Sequence, residues 1–144
     1  QPAETGIDLS ISYAEEALAV AISDIYDVGV DIEVLNGRGP HAIAWGALTP
    51  AERTELAAAP ADQQLARFLL TWTAKEALVK STGLGISVDF AGVHPPPTAT
   101  GIHKDQNQNH WLHQQQWSNR ERAYYVSVAA RNRTWPGPGV SEPV

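Results

Sequence analysis

From Asp8 to Tyr13 polar and apolar residues alternate, Leu9, Ile11 and Tyr13 against Asp8, Ser10 and Ser12, which predicts a half-buried strand. After the polar break Ala14-Glu15-Glu16, the small apolar run Ala17 to Ser23 predicts a buried strand. Asp24 to Asp27 forms a turn and Val28 to Glu33 a third strand. Three successive strands with short connections predict an antiparallel meander. Asn36-Gly37-Arg38-Gly39-Pro40 breaks regular structure. Thr49-Pro50-Ala51-Glu52 carries a helix start, with Thr at the cap, Pro at the first helical position and an acid in the first turn; that helix ends before Pro60. A second start at Pro60-Ala61-Asp62 opens the longest helix, from about Asp62 to Thr82, with Leu65, Phe68, Leu69, Trp72 and Val79 at helical spacing and Gly83 as the residue that ends it. Ile86 to Phe90 alternates as a strand, and Gly92 to Asn109 reads as a weakly ordered loop. Trp111 to Trp117 and Ala123 to Arg131 read as a hairpin joined by Ser118-Asn119-Arg120-Glu121. The fold class is α+β, an antiparallel sheet packed against a long helix. Residues 1–134 form one domain and 135–144 a frayed Pro/Gly-rich tail.

Two segments of this frame carry chemistry. On the strand Val28-Gly29-Val30-Asp31-Ile32-Glu33, the alternation points Asp31 and Glu33 the same way while Val30 and Ile32 enter the opposite layer. Gly29 permits close approach of another backbone. On the helix, Trp72-Thr73-Ala74-Lys75-Glu76-Ala77-Leu78-Val79-Lys80 places Glu76 and Lys80 one turn apart, with Lys75 beside them. If strand and helix meet, three carboxylates can hold a hard cation with lysines nearby, the equipment for chemistry on a phosphate.

Composition narrows the setting. Of 144 residues none is Cys, which removes disulfides, thiolate metal sites and a catalytic thiol. The formal charge of −6 and the lack of a basic cluster argue against non-specific nucleic-acid binding. Lysine occurs only at Lys75, Lys80 and Lys104, two of them inside one motif. No apolar run is long enough to span a bilayer and no signal peptide is visible, so a soluble, cytoplasmic setting is expected. The chain has no Met and begins Gln1-Pro2, so either a processed chain or, the reading we favour, a domain cut from a longer polypeptide is expected.

The pair of motifs, in this order and at this separation, resembles the two signatures of the 4′-phosphopantetheinyl transferases, particularly the Sfp type; the resemblance runs from about Ile7 to Arg131. It implies an α+β unit that binds Mg²⁺ through Asp31, Glu33 and Glu76 and takes coenzyme A as co-substrate. It further implies transfer of the 4′-phosphopantetheine arm to a serine of an acyl or peptidyl carrier protein, with release of 3′,5′-ADP. Glu76, directly or through a metal-bound water, takes the serine proton, and Lys80 steadies the leaving diphosphate; Lys75 and Lys80 match the phosphate-contacting lysines. Ser12 also matches the family pattern for cofactor binding. Tyr13 stands where the Sfp type has a histidine that contacts a coenzyme A phosphate, and it cannot supply that positive charge near neutral pH. Sfp-type chains contain two such units and the shorter holo-synthase type is a trimer, so a chain of one unit is expected to form a homo-oligomer, trimer favoured, or to be completed by a segment of a larger synthase.

Plainer readings stand beside these. Asp31 and Glu33 on their own fit a solvated strand face, and Lys75 and Lys80 fit surface pairing with Glu76 worth a few tenths of a kcal/mol. Trp72 reads as core. His110 and His113 would face opposite sides of a strand and are not expected to share a metal. A non-catalytic domain binding carrier protein or coenzyme A within a megasynthase is the alternative function, but a scaffold has no need of the acids and lysines. A generic Mg²⁺ phosphohydrolase would need an activated-water site that is not identifiable.

Overall fold

A computed structural model of the chain describes residues 6–36, 45–83, 101–105 and 110–133. Its elements are β1 (Asp8–Ala14), β2 (Ala17–Ser23), β3 (Tyr26–Leu35), α1 (Pro50–Ala58), α2 (Ala61–Thr82), β4 (Gly101–Asp105), β5 (His110–Ser118) and β6 (Ala123–Asn132). β3 to β6 form an antiparallel sheet in the order β3-β6-β5-β4, and β1 and β2 form a separate hairpin. The mixture of helices with antiparallel sheets is α+β, as the pattern of the chain predicts. The strand expected over 86–90 and the tail from 135 lie outside the described residues.

The helices form where local chemistry favours them. Thr49 accepts from the Glu52 backbone N–H while the Glu52 carboxylate accepts from that of Thr49, a reciprocal cap on α1 with Pro50 leading the first turn. α2 ends at Gly83, whose φ of 71° is the left-handed conformation that closes a helix. One side of α2 packs on the sheet. Small residues, Ala74 and Ala77, meet Leu112 and Ala129 there, and Phe68 and Leu69 join Leu48, Leu56 and Tyr125 further along. At Gly29 the contact is closest: a Cβ would overlap the Ala77 carbonyl oxygen and lie 2.6 Å from Ser81 N. Strand β3 and helix α2 therefore touch backbone to backbone, as the glycine permits.

Two features differ from the sequence pattern. The meander does not form: β3 leaves the β1–β2 hairpin and becomes an edge strand of the larger sheet, paired on its other side with β6. Side chains of β1 do what a neighbouring strand would have done. Asp8 Oδ2, Ser10 Oγ and Ser12 Oγ accept from the backbone N–H groups of Val28, Val30 and Ile32 at 2.7, 3.0 and 3.2 Å. As a result the orientation of β1 is the reverse of an ordinary half-buried strand. Ser10 and Ser12 are buried, and Leu9, Ile11 and Tyr13 face outward. The hairpin's inner side is completed by Ala19 and Ala21, small enough to pack over Val28, Val30, Val126 and Val128. The second difference is β4, which pairs with β5 inside the stretch read as a loop; edge pairing needs only main-chain groups, so composition did not reveal it. The described elements thus stack in three layers, α2, the four-stranded sheet and the hairpin.

Candidate active site at the strand–helix junction

Asp31, Glu33 and Gly29 occupy alternate positions of β3 on the face that meets α2, and Gly29 brings the helix close enough for Glu76 and Lys80 to join them. The Lys80 ammonium donates to Asp31 Oδ1 at 3.2 Å and to the Val30 carbonyl at 3.0 Å. Ser12, reaching in from the hairpin, donates to the same Oδ1 at 3.1 Å. With Oδ1 engaged twice, Asp31 Oδ2 is left buried with no hydrogen-bond partner. An unpaired carboxylate oxygen in such a place is costly unless something positive meets it.

The electrostatics agree. Burial pushes the Asp31 carboxyl up to about 7; the Lys80 ammonium pulls it back, while the charges of Glu33 and Glu76 push it further. Glu76 is also raised, first by burial and then by Glu33, against the pull of Lys80. Three carboxylates therefore feel one another across strand and helix, with one ammonium among them. Oxygen donors of this kind, one of them orphaned, fit a hard divalent cation such as Mg²⁺ in donor type and charge. As placed, no group of three or more acidic or histidine side chains among the described residues is gathered to enclose a metal ion; Asp31 is turned instead to Lys80 and Ser12.

The other expected site residues fall elsewhere or play parts the sequence did not reveal. Lys75 does not project beside Glu76. Its side chain is fully buried, its ammonium 2.7 Å from Glu52 Oε2 and donating at 2.8 Å to the Ala47 carbonyl, because a helix residue one position earlier points about 100° away, here toward α1. It ties the capped start of α1 to α2. Tyr13 is 78% exposed on the outer face of the hairpin, opposite Leu18, whereas Ser12 faces the acids. Trp72, read as core, packs against the cluster around Phe68 but also donates its indole N–H to Glu33 Oε1 at 3.3 Å, which fixes that carboxylate. Its spacing of one turn before Glu76 was the available signal. His110 is buried and His113 exposed on opposite sides of β5, as expected. A cleft of about 400 Å³ opens between α1 and α2, lined by Leu48, Glu52, Leu56, Arg67 and Phe68; none of the three acids lines it.

A sequence profile of the 4′-phosphopantetheinyl transferase superfamily matches residues 27–129, a span that contains both the strand and the helix of this site. The chain belongs to that superfamily. Among curated relatives, it is similar to 4′-phosphopantetheinyl transferase AcpT of Salmonella typhimurium, 37% identical over 75 residues that cover 51% of this chain and 39% of that protein. AcpT of Escherichia coli K12 is also 37% identical over 75 residues, 51% of this chain and 38% of its own length. 4′-Phosphopantetheinyl transferase HetI of a Nostoc species is 30% identical over 86 residues, 59% of this chain and 36% of its own. The chain therefore spans less than half the length of these transferases.

Proposed function

We propose that this chain transfers the 4′-phosphopantetheine arm of coenzyme A to a serine of an acyl or peptidyl carrier protein, releasing 3′,5′-ADP, in the cytoplasm. The observation that carries the reading is the junction itself: Asp31 with an orphaned buried oxygen, Glu33 and Glu76 electrostatically coupled to it, and Lys80 between strand and helix. Asp31, Glu33 and Glu76 are the residues that would hold Mg²⁺, which when bound supplies the positive charge that a diphosphate needs. Trp72 and Ser12 orient two of those carboxylates. Glu76, whose basicity is raised, takes the proton of the attacking serine at its carboxylate. The Lys80 ammonium, one-third exposed, turns from Asp31 to the 5′-phosphate of the departing 3′,5′-ADP. Lys75 is assigned to anchoring α1 and not to the cofactor, since it has no exposed surface with which to reach one. Tyr13, on the outer face of the hairpin, would meet coenzyme A only where another unit closes a cleft over that face.

A second reading, a non-catalytic domain that binds carrier protein or coenzyme A, draws on the open arrangement of the acids and on tyrosine at position 13. One experiment separates them. The chain is incubated with coenzyme A, Mg²⁺ and several apo carrier proteins, and each carrier is weighed by mass spectrometry. Gain of the phosphopantetheine mass, lost in Glu76→Gln, is the expected result. Binding without any mass gain across the panel would favour the second reading.

A further inference from the structure

Asp31, Ser127 and Gln114 are direct cross-strand neighbours on β3, β6 and β5, so they form one row across the sheet on the face that meets α2. The row beside it, Gly29, Ala129 and Leu112, is apolar. Inward from Asp31 the polar row is sealed: Gln114 is 1% exposed, and Ser127 and, on α2, Thr73 are fully buried. The Gln114 side-chain amide donates to the Leu70 carbonyl of α2 at 2.8 Å and to Ser127 Oγ at 3.1 Å, and Ser127 Oγ lies 2.8 Å from Thr73 Oγ1. The amide cannot be turned over, since its oxygen would then face the Leu70 carbonyl, and Gln114 Oε1 is left buried with no hydrogen-bond partner. An acceptor stranded in this way costs stability, and an apolar side chain of the same shape would remove the cost. Stability alone does not account for a glutamine here.

Nor does the apolar contact around it fix where α2 lies. Ala74 and Ala77 meet Ala129 and Leu112, and burial of such side chains favours closeness without choosing a direction. Hydrogen bonds choose one. We propose that Gln114, Ser127 and Thr73 are positioning residues that set the axial register of α2 on the sheet, and through it the placement of Trp72 and Glu76 against Glu33 and Asp31. Thr73 follows Trp72 directly and precedes Glu76 by one turn, while its partner Ser127 stands one strand from Asp31. The bond between them ties helix to sheet at the rung adjoining the acids. The bond from Lys80 to Asp31 cannot hold that register through a reaction in which Lys80 turns to a phosphate. The importance of the register for catalysis rests on the transferase reading, but the register itself exists without coenzyme A, metal or carrier protein.

The Trp72 indole N–H, which donates to Glu33 Oε1 at 3.3 Å, reports it directly in heteronuclear NMR spectra of the metal-free chain, the signal being assigned by its loss in Trp72→Phe. Two variants are compared with wild type: Gln114→Met, and the triple variant Thr73→Val, Ser127→Ala, Gln114→Met, which replaces the whole network with apolar groups. In both, the indole signal should move or split while the melting temperature stays within about 3 °C of wild type or rises. Mn²⁺ affinity, read by electron paramagnetic resonance without substrates, should weaken roughly 3- to 10-fold. Leu112→Val, a smaller side chain in the same layer, should do the opposite, lowering the melting temperature by roughly 3–6 °C with the indole signal in place. A wild-type indole signal in both network variants, or an equal displacement in Leu112→Val, would overturn the proposal. Absence of phosphopantetheine transfer or of Mn²⁺ binding in the wild-type chain would count against the transferase or metal reading alone, since the indole signal decides the register without either.

Discussion

Replacing Gly29 with alanine tests whether the site depends on contact between strand and helix backbones. The new Cβ would overlap the Ala77 carbonyl oxygen and lie 2.6 Å from Ser81 N and 2.9 Å from Lys80 Cβ. None of these is the free end of a flexible side chain, so the helix itself must give way. Restoring an ordinary contact of 3.4 Å to Ser81 N requires α2 to retreat by at least about 0.8 Å. Overpacking of this kind costs about 1–3 kcal/mol, and an obstacle made of helix backbone places the cost at the upper end. For a domain of this size that lowers the melting temperature by roughly 5–12 °C. The same retreat carries Lys80 away from Asp31 and Val30, to which it now bonds at 3.2 and 3.0 Å, beyond hydrogen-bond reach. A misplacement near 1 Å can cost a reaction about a hundredfold, so turnover should fall by roughly 10- to 100-fold even at temperatures where the variant is folded. Thermal melts and phosphopantetheine transfer are measured side by side, with Gly46→Ala as control, since nothing lies within 4 Å of a Cβ there. Wild-type melting and turnover in Gly29→Ala would show that the helix is not seated on the strand in this way.

The remaining predictions concern individual side chains. The Asp31 carboxyl, raised from 3.8 to about 7, holds its proton more tightly folded than unfolded. Its contribution is therefore complete below the unfolded value and lost as pH rises through about 7, and the metal-free chain should lose up to about 4 kcal/mol across that window. Asp31→Asn should remove that slope in urea melts run with chelator and be the more stable protein near pH 8, while losing transfer activity; an unchanged slope would refute the assignment. Trp72→Phe keeps the stack on Phe68 but deletes the N–H to Glu33, so the Mg²⁺ concentration for half-maximal transfer should rise roughly 3- to 10-fold with little change in melting temperature. Lys75→Met leaves Glu52 without its buried partner and should lower stability by about 3 kcal/mol with coenzyme A affinity unaltered, whereas Lys80→Ala should lower kcat with stability nearly intact. Glu15, at φ 54° in the hairpin turn, should tolerate glycine with a gain of about 1 kcal/mol in thermal or urea melts.

Elements with a local signature were visible in the chain. The cap at Thr49 and Glu52, the stop at Gly83, the hairpin of β5 and β6 and the alternation that sets Asp31 beside Glu33 each depend on residues close in sequence. Partners chosen across long separations were not visible. Nothing near Ser12 indicates that its hydroxyl will bond a carboxylate 19 positions on, nor does the surface-like pattern Lys75-Glu76 indicate that the lysine will be wholly buried against Glu52. The burial of β1 was inverted for the same reason. Alternation fixes that two faces differ, but which one turns inward is decided by the N–H groups of a strand 20 residues away.

The side chains that cap β3 act as a comb with teeth at every second residue. Asp8, Ser10 and Ser12 match the N–H groups of Val28, Val30 and Ile32 one for one. A slip of one residue would offer leucine, isoleucine and tyrosine to those donors, and a slip of two would leave one donor unmet. The strand that carries two of the acids is thus held at a single setting. Its outer edge is also closed to strand addition, the ordinary hazard of an exposed edge, without any main-chain partner. A substitution as small as Ser10→Ala, two residues from Ser12 and outside the acid cluster, would loosen that setting and be felt at Asp31.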